Sequence, residues 1–273
     1  MQKRIFVAMT YKDNVVWITG ATSGIGEALA LEFAKKGAKL VLSARREVQL
    51  NEVAEKARNN GASQVWIQTL DLAKNETLIP AVERVLEQAG RVDVLMNNGG
   101  ISQRSKALDT PIEVDRRIME IDFFGTVALT KAVLPQMLAN GVGQIGVTSS
   151  LVGKFGSPYR SAYAAAKHAL HGFYDSLRAE LHDQGLQVTI FCPGFIRTQI
   201  SLNALTGSGE KLGEMDDAQA NGMSAAECAK RMVSAMEKGR NEVYIGGKER
   251  LGIYVKRLFP NIFARIIRKA KVR

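Results

Sequence analysis

Cysteine is scarce in this chain. Cys192 and Cys228 are the only two, far apart and outside any CxxC or Cys/His ligand spacing. With three histidines beside them, a zinc site is not expected and no metal is assigned. The same scarcity excludes a disulfide scaffold and suits a reducing compartment, so a cytoplasmic location is the expectation. Long hydrophobic runs are missing as well. The first ten residues carry Lys3 and Arg4 and then only a short apolar stretch, 5–9. That is too weak for a secretory signal and too short to span a bilayer. Met9 offers an alternative initiator, and 1–13 is read as an N-terminal extension. Finally, acid is missing from the C-terminal end: 250–273 holds eight basic residues and no carboxylate side chain, out of a net charge of +10 for the whole chain. The basic character therefore belongs to the tail. No recognised nucleic-acid motif accompanies it, and no nucleic-acid partner is expected.

What is present is ordinary for a globular protein, with 46% apolar and 23% charged residues. Apolar, β-branched runs at 15–19, 39–43, 64–70, 92–97, 143–149, 187–192 and 242–245 read as strands. Several lack strict alternation, as strands covered on both faces do. Amphipathic stretches lie between them at 24–36, 47–60, 76–89, 112–138, 161–183 and 225–238. Gly37, Gly61, Gly90 and Gly185 fall just after helical runs, where a terminating glycine belongs. The pattern predicts an α/β fold: one Rossmann-type, doubly wound parallel sheet over 14–249, with helices on both faces.

The first strand runs into Thr19-Gly20-Ala21-Thr22-Ser23-Gly24-Ile25-Gly26, and a helix follows at once. Glycine takes the positive φ of a tight strand-to-helix turn and lets the backbone approach a pyrophosphate at the helix N-terminus. A turn with no ligand would carry the same glycines, but strand and helix in register favour the binding reading. At this point the chain resembles the short-chain dehydrogenase/reductase family, whose members carry TGxxxGIG here. Within it, 97–105 (NNGGISQRS) and 163–173 resemble the dehydrogenase/reductase member 7 branch. The resemblance spans about residues 14–247. It implies cofactor contacts from Gly20, Ser23, Gly24, Ile25 and Gly26, from Asp71 to the adenine, and from Asn98 and Gly99 along the dinucleotide. Pro193, Gly194, Ile196 and Thr198, in a PGxxxT segment, would help seat the nicotinamide.

The second strand ends Leu42-Ser43-Ala44-Arg45-Arg46, with no carboxylate before Glu47. An acid there would hold a ribose 2′-hydroxyl, whereas an arginine accommodates a 2′-phosphate. Arg45 therefore points to NADP(H), the alternative being that both arginines sit in a solvated loop.

Tyr163 and Lys167 stand four apart on a helical stretch and so share one helix face. A phenol ionises near pH 10 in water, and an adjacent ammonium favours its ionised form, which makes it a usable acid or base. Tyr244 and Lys248 have the same spacing but leave a short strand rather than a helix. The resemblance adds Ser150, thirteen residues before Tyr163, as the hydroxyl that holds the reacting oxygen; its neighbour Ser149 is the alternative. It further implies that Tyr163 transfers the proton while Lys167 binds the nicotinamide ribose. One departure stands out: the family's asparagine in the long central helix is Asp122 here, which accepts hydrogen bonds but cannot donate an amide proton.

Residues 199–223 are read as the substrate lid. Phe195, Ile196, Ile200, Leu202 and Leu205 give it an apolar side, which serves a hydrophobic carbonyl or alcohol substrate or simply packs the lid. The tail either packs an apolar stripe on the domain or a partner subunit, or lies on an anionic membrane surface; Pro260 is placed to start a second helix in it. The resulting expectation is an NADP(H)-dependent carbonyl/alcohol oxidoreductase, homodimeric or homotetrameric by family habit, cytoplasmic with possible peripheral membrane contact. The alternatives are a 3-oxoacyl-carrier-protein reductase and a catalytically weak dinucleotide-binding sensor or scaffold.

Overall fold

Every residue of β1 (Val15–Thr19) is buried, because successive side chains point to opposite faces and both faces are covered. Val15 and Trp17 enter one apolar core, and Val16 and Ile18 enter the other. The computed structural model describes residues 10–270. Residues 1–9, with Met9 and most of the expected extension, and 271–273, with Lys271 and Arg273, lie outside the described residues.

The chain continues as α1 (Gly24–Ala34), β2 (Lys39–Ser43), α2 (Glu47–Asn59), β3 (Gln64–Ile67), α3 (Leu78–Ala89) and β4 (Val94–Asn97). Then come α4 (Ile112–Met119), α5 (Gly125–Asn140), β5 (Gly143–Thr148), α6 (Ser161–Glu180) and β6 (Leu186–Pro193). The two-residue strands β7 (Ile196–Arg197) and β8 (Met223–Ser224) bracket the segment expected to form the lid, which contains α7 (Asp217–Ala220). Last come α8 (Ala225–Glu237), β9 (Glu242–Ile245), α9 (Leu251–Leu258) and α10 (Pro260–Ile267). Seven strands form one parallel sheet in the order β3-β2-β1-β4-β5-β6-β9. Side chains from α1, α2 and α8 fill one face, and those from α3 to α6 fill the other. This is the doubly wound Rossmann-type sheet the alternation predicts. Its strand order reverses beside β1, which opens a crevice at the C-terminal ends of β1 and β4, where such folds bind ligands.

The boundaries shift where pairing geometry decides them. The strand expected over 64–70 stops at Ile67, although the amides of Gln68 and Leu70 still bond to Leu42 and Ala44. Gly37, Gly61, Gly90 and Gly185 all take positive φ. The larger difference lies in the helix expected over 112–138. A π turn, Glu120–Phe124, separates α4 from α5, and Asp122 sits in it. Such widened turns recur at functional sites, and no apolar periodicity announces them.

Candidate active site

The glycine turn fills the end of the crevice between β1 and α1. Gly20 and Gly24 have φ of +65° and +58°. A Cβ on Gly26 would lie 2.1 Å from the Gly20 carbonyl oxygen, so only glycine closes this turn. The Ser23 side chain makes no capping hydrogen bond to α1. Thr19 Oγ1 accepts the amides of Asn98 and Gly99 at 3.0 and 2.9 Å, and the Asn98 amide nitrogen donates to Thr19 O. Thr198 closes on the turn from the far side: a Cβ on Gly24 would meet its methyl at 3.0 Å. A close backbone approach and an unspent helix N-terminus are what a pyrophosphate requires, so these residues fit a dinucleotide. Ile25 lies half-buried in the first turn of α1.

Arg45 is exposed past the end of β2. Its neighbour Arg46 reaches back to donate to Thr22 Oγ1 at 3.3 Å, a cross-turn contact that sequence reasoning did not single out. Asp71, half-buried after β3, is engaged locally with the Ala73 amide. Pro193 and Ile196 are buried, with Gly194 and Thr198 partly exposed between and after them.

Tyr163 and Lys167 lie on α6, with the Lys167 ammonium 5.5 Å from the Tyr163 ring centre. Ser150 follows β5, is partly exposed, and its Oγ donates to Pro193 O at 3.3 Å. The two serines now separate. Ser149 is buried, and its hydroxyl donates to Lys167 O and contacts His171 Nε2, both at 3.1 Å, so it fastens β5 to α6. Ser150 is the partly exposed hydroxyl of the two, and its Oγ also accepts the Val152 amide at 3.3 Å.

Asp122 is fully buried against Lys167, with Oδ2 3.1 Å from Nζ. Oδ1 accepts the Ile101 amide at 2.7 Å, and Lys167 also donates to Thr148 O at 3.1 Å. Burial pushes the Asp122 carboxyl up, against the opposing pull of Lys167 and the Ile101 amide. For Lys167, burial favours the neutral amine, but Asp122 and Tyr163 more than offset it and hold the ammonium above its ordinary range. A Cβ at Gly100 would stand 3.1 Å from both carboxylate oxygens. Glycine at 100 thus leaves room for the carboxylate at 122.

Two positioning elements escaped the sequence reading. Gln103, fully buried, accepts the Ala162 amide at 2.8 Å and the Tyr163 amide at 3.4 Å, capping α6 from sixty residues away. The segment expected to form the lid is clamped by charge: Asp216 Oδ2 binds Arg104 Nε at 2.9 Å and Arg160 Nη2 at 3.3 Å, with all three residues buried. Burial and then Arg104 pull Arg160 down to about 10, and Asp216 opposes them. Leu205 adds backbone bonds to Ser102 and Arg104. No local pattern links 103–104 to 160–163 or 216, so only the fold reveals these contacts.

His171, Cys192 and Glu242 bring metal-capable atoms within 4.8 Å of one another. Each is already engaged: His171 Nδ1 lies 3.2 Å from Glu242, Lys154 pairs with Glu242 at 3.1 Å, and burial pushes the Cys192 thiol up. Burial would raise Glu242 too, but hydrogen bonds from His171, Tyr244 and Lys154 hold it down at about 2.

Comparison with known proteins agrees with this geometry. The zebrafish (Danio rerio) dehydrogenase/reductase SDR family member 7B is 42% identical over 262 residues, covering 94% of this chain and 85% of that protein. An alcohol dehydrogenase from Thermococcus sibiricus, solved with 5-hydroxy-NADP, superposes with a TM-score of 0.75 at 27% identity, over 87% of this chain and 97% of that one. A Burkholderia phymatum short-chain dehydrogenase/reductase, solved with NAD, shares the fold at a TM-score of 0.83 and 21% identity, over 97% and 98% of the two chains. The short chain dehydrogenase family model matches residues 14–207, and this chain belongs to the short-chain dehydrogenase/reductase family of nicotinamide-dinucleotide oxidoreductases.

Proposed function

We propose that the protein is an NADP(H)-dependent oxidoreductase that interconverts a carbonyl and an alcohol on a small hydrophobic substrate. The reading rests on the Tyr163–Lys167 pair on α6, with the ammonium held 5.5 Å from the phenol ring, and on Ser150, partly exposed just past the C-terminal end of β5, the strand beside β4. In that arrangement Ser150 holds the reacting oxygen. Tyr163 gives it a proton in reduction and takes one in oxidation, and the Lys167 ammonium stabilises negative charge developing on the phenol oxygen. When bound, the dinucleotide supplies or accepts the hydride at the carbonyl carbon. Arg45 and Arg46, with no carboxylate before Glu47, support a 2′-phosphate. Asp122 fixes the rotamer and charge of Lys167. The remaining parts of the proposal are a homodimer or homotetramer and a cytoplasmic setting.

The test is NADPH and NADH oxidation across hydrophobic aldehydes, ketones and diketones, with Tyr163→Phe as control. NADPH-dependent turnover that falls by about 10²–10⁴-fold in the variant is expected. A second reading, a dinucleotide-binding sensor, draws on the ion pair at Lys167, where Asp122 offsets the charge that would assist Tyr163. NADPH binding without turnover on any substrate, unchanged by Tyr163→Phe, would favour it.

A further inference from the structure

The tail was ambiguous as a pattern because one apolar stripe serves packing and docking equally well. The structure resolves it into two faces. Ile253 and Phe263 turn inward and are buried, with Phe263 packed on the Phe155 ring at 5.0 Å. The root is tied down separately: Arg250 Nε donates to Gly247 O at 3.1 Å, and Glu249 accepts the Phe195 amide. The packing requirement is therefore met by the inner face alone.

The outer face is also apolar. Leu251, Tyr254 and Leu258 share one side of α9, and Ile262 and Ile266 share one side of α10, with Phe259 between the helices. All six side chains are more than half exposed. Among the described residues thirteen large apolar side chains are exposed, and six of them fall in 251–266. The other seven are scattered over the rest of the chain, as single exposed apolar residues normally are. Arg265 and Lys269, three and seven positions after Ile262, flank the apolar row, and Lys256, Arg257 and Arg268 are exposed on or just past the same two helices. No acidic residue follows Glu249.

We infer that the outer face of α9 and α10 docks on the surface of an anionic lipid bilayer, lying in the interface plane. An apolar row buried among acyl chains, with cations at headgroup level, is the arrangement such helices use. Each basic residue near an anionic surface adds attraction, and here they come without a repelling acid. A second copy of this face would oppose cation to cation with no carboxylate between them. No described helix is long and apolar enough to cross a membrane.

The test is co-sedimentation of the full chain with vesicles of phosphatidylcholine alone or with about one third phosphatidylserine. Binding to the anionic vesicles is expected, about tenfold or more tighter than to phosphatidylcholine and weakened by salt. Leu258→Glu with Ile262→Glu is expected to abolish binding to both while the melting temperature is retained. Arg265→Glu with Lys269→Glu is expected to remove the preference for the anionic lipid. Absence of binding, or binding that neither variant changes, overturns the inference. So does a lipid-free dimer, seen by sedimentation equilibrium, that Leu258→Glu with Ile262→Glu converts to monomer, since that identifies a second copy as the occupant.

Discussion

The two sides of the crevice are built by different means. On the cofactor side, the glycine turn between β1 and α1 is a local object: backbone angles at Gly20 and Gly24 and the absence of a Cβ at Gly26 shape it within seven residues. On the other side, residues 199–223, the expected lid, have little regular structure, and Asp216 holds them to Arg104 and Arg160 across 112 and 56 positions of sequence. A turn made by local sterics tolerates change elsewhere. A lid closed by buried charges depends on each member of the cluster, because a guanidinium stripped of its carboxylate keeps the desolvation cost without the attraction.

The sharpest way to break this contrast is Asp216→Ala. It removes the carboxylate shared by two buried arginines, and a loss of about 3–5 kcal/mol in denaturant unfolding is expected. An unaffected midpoint would mean that the lid is held by its backbone bonds instead. Next, Arg45→Ala and Arg46→Ala, measured separately by titration with NADPH, test how the cofactor side reads phosphate. Each is expected to weaken NADPH by about tenfold and leave NADH unchanged, as loss of a charge-assisted hydrogen bond does. If only Arg46→Ala weakens it, the phosphate site belongs to the arginine already reaching Thr22.

Asp122→Asn probes the seam between the two sides. Asp122 helps hold the Lys167 ammonium above its ordinary range, so with asparagine only Tyr163 opposes the effect of burial and the amine loses its proton at lower pH. The alkaline limb of the kcat profile is expected to move down in pH. Gly100→Ala is expected to cost less stability when combined with Asp122→Asn than when made alone, because its methyl then meets a neutral amide rather than a charged carboxylate. The smallest effect belongs to Glu242, at the edge strand β9. Its carboxyl is held at about 2 in the folded protein, below its unfolded value of about 4.3. Its contribution to stability is therefore full above the unfolded value and is lost as pH falls toward the folded one. Glu242→Gln is expected to flatten thermal stability between about pH 4.5 and pH 2, a slope readable by calorimetry.

The strands, most helices and the Tyr163–Lys167 pair were legible in the sequence because each rests on short-range regularity. Successive strand side chains enter opposite cores, and Tyr163 and Lys167 meet because four positions are about one helical turn. Ser149 and Ser150 were adjacent hydroxyls that no spacing could separate; only the packing of α6 against β5 spends one of them on Lys167 O and His171. The π turn at Asp122 was hidden because the apolar pattern runs through it unbroken. Gln103 was invisible as a helix cap because it caps α6 from another part of the chain.

The sequence by itself determined the α/β class, the glycine turn, the Tyr163–Lys167 pair and the placement of positive charge in the tail. All of these follow from backbone sterics, helical period and composition, which act over a few residues. The tertiary structure alone decided which serine is buried against α6, what Asp122 touches, how residues 199–223 are fastened and which face of the tail remains uncovered. Each of those outcomes depends on burial and on partners brought together from distant parts of the chain, and a linear pattern carries neither.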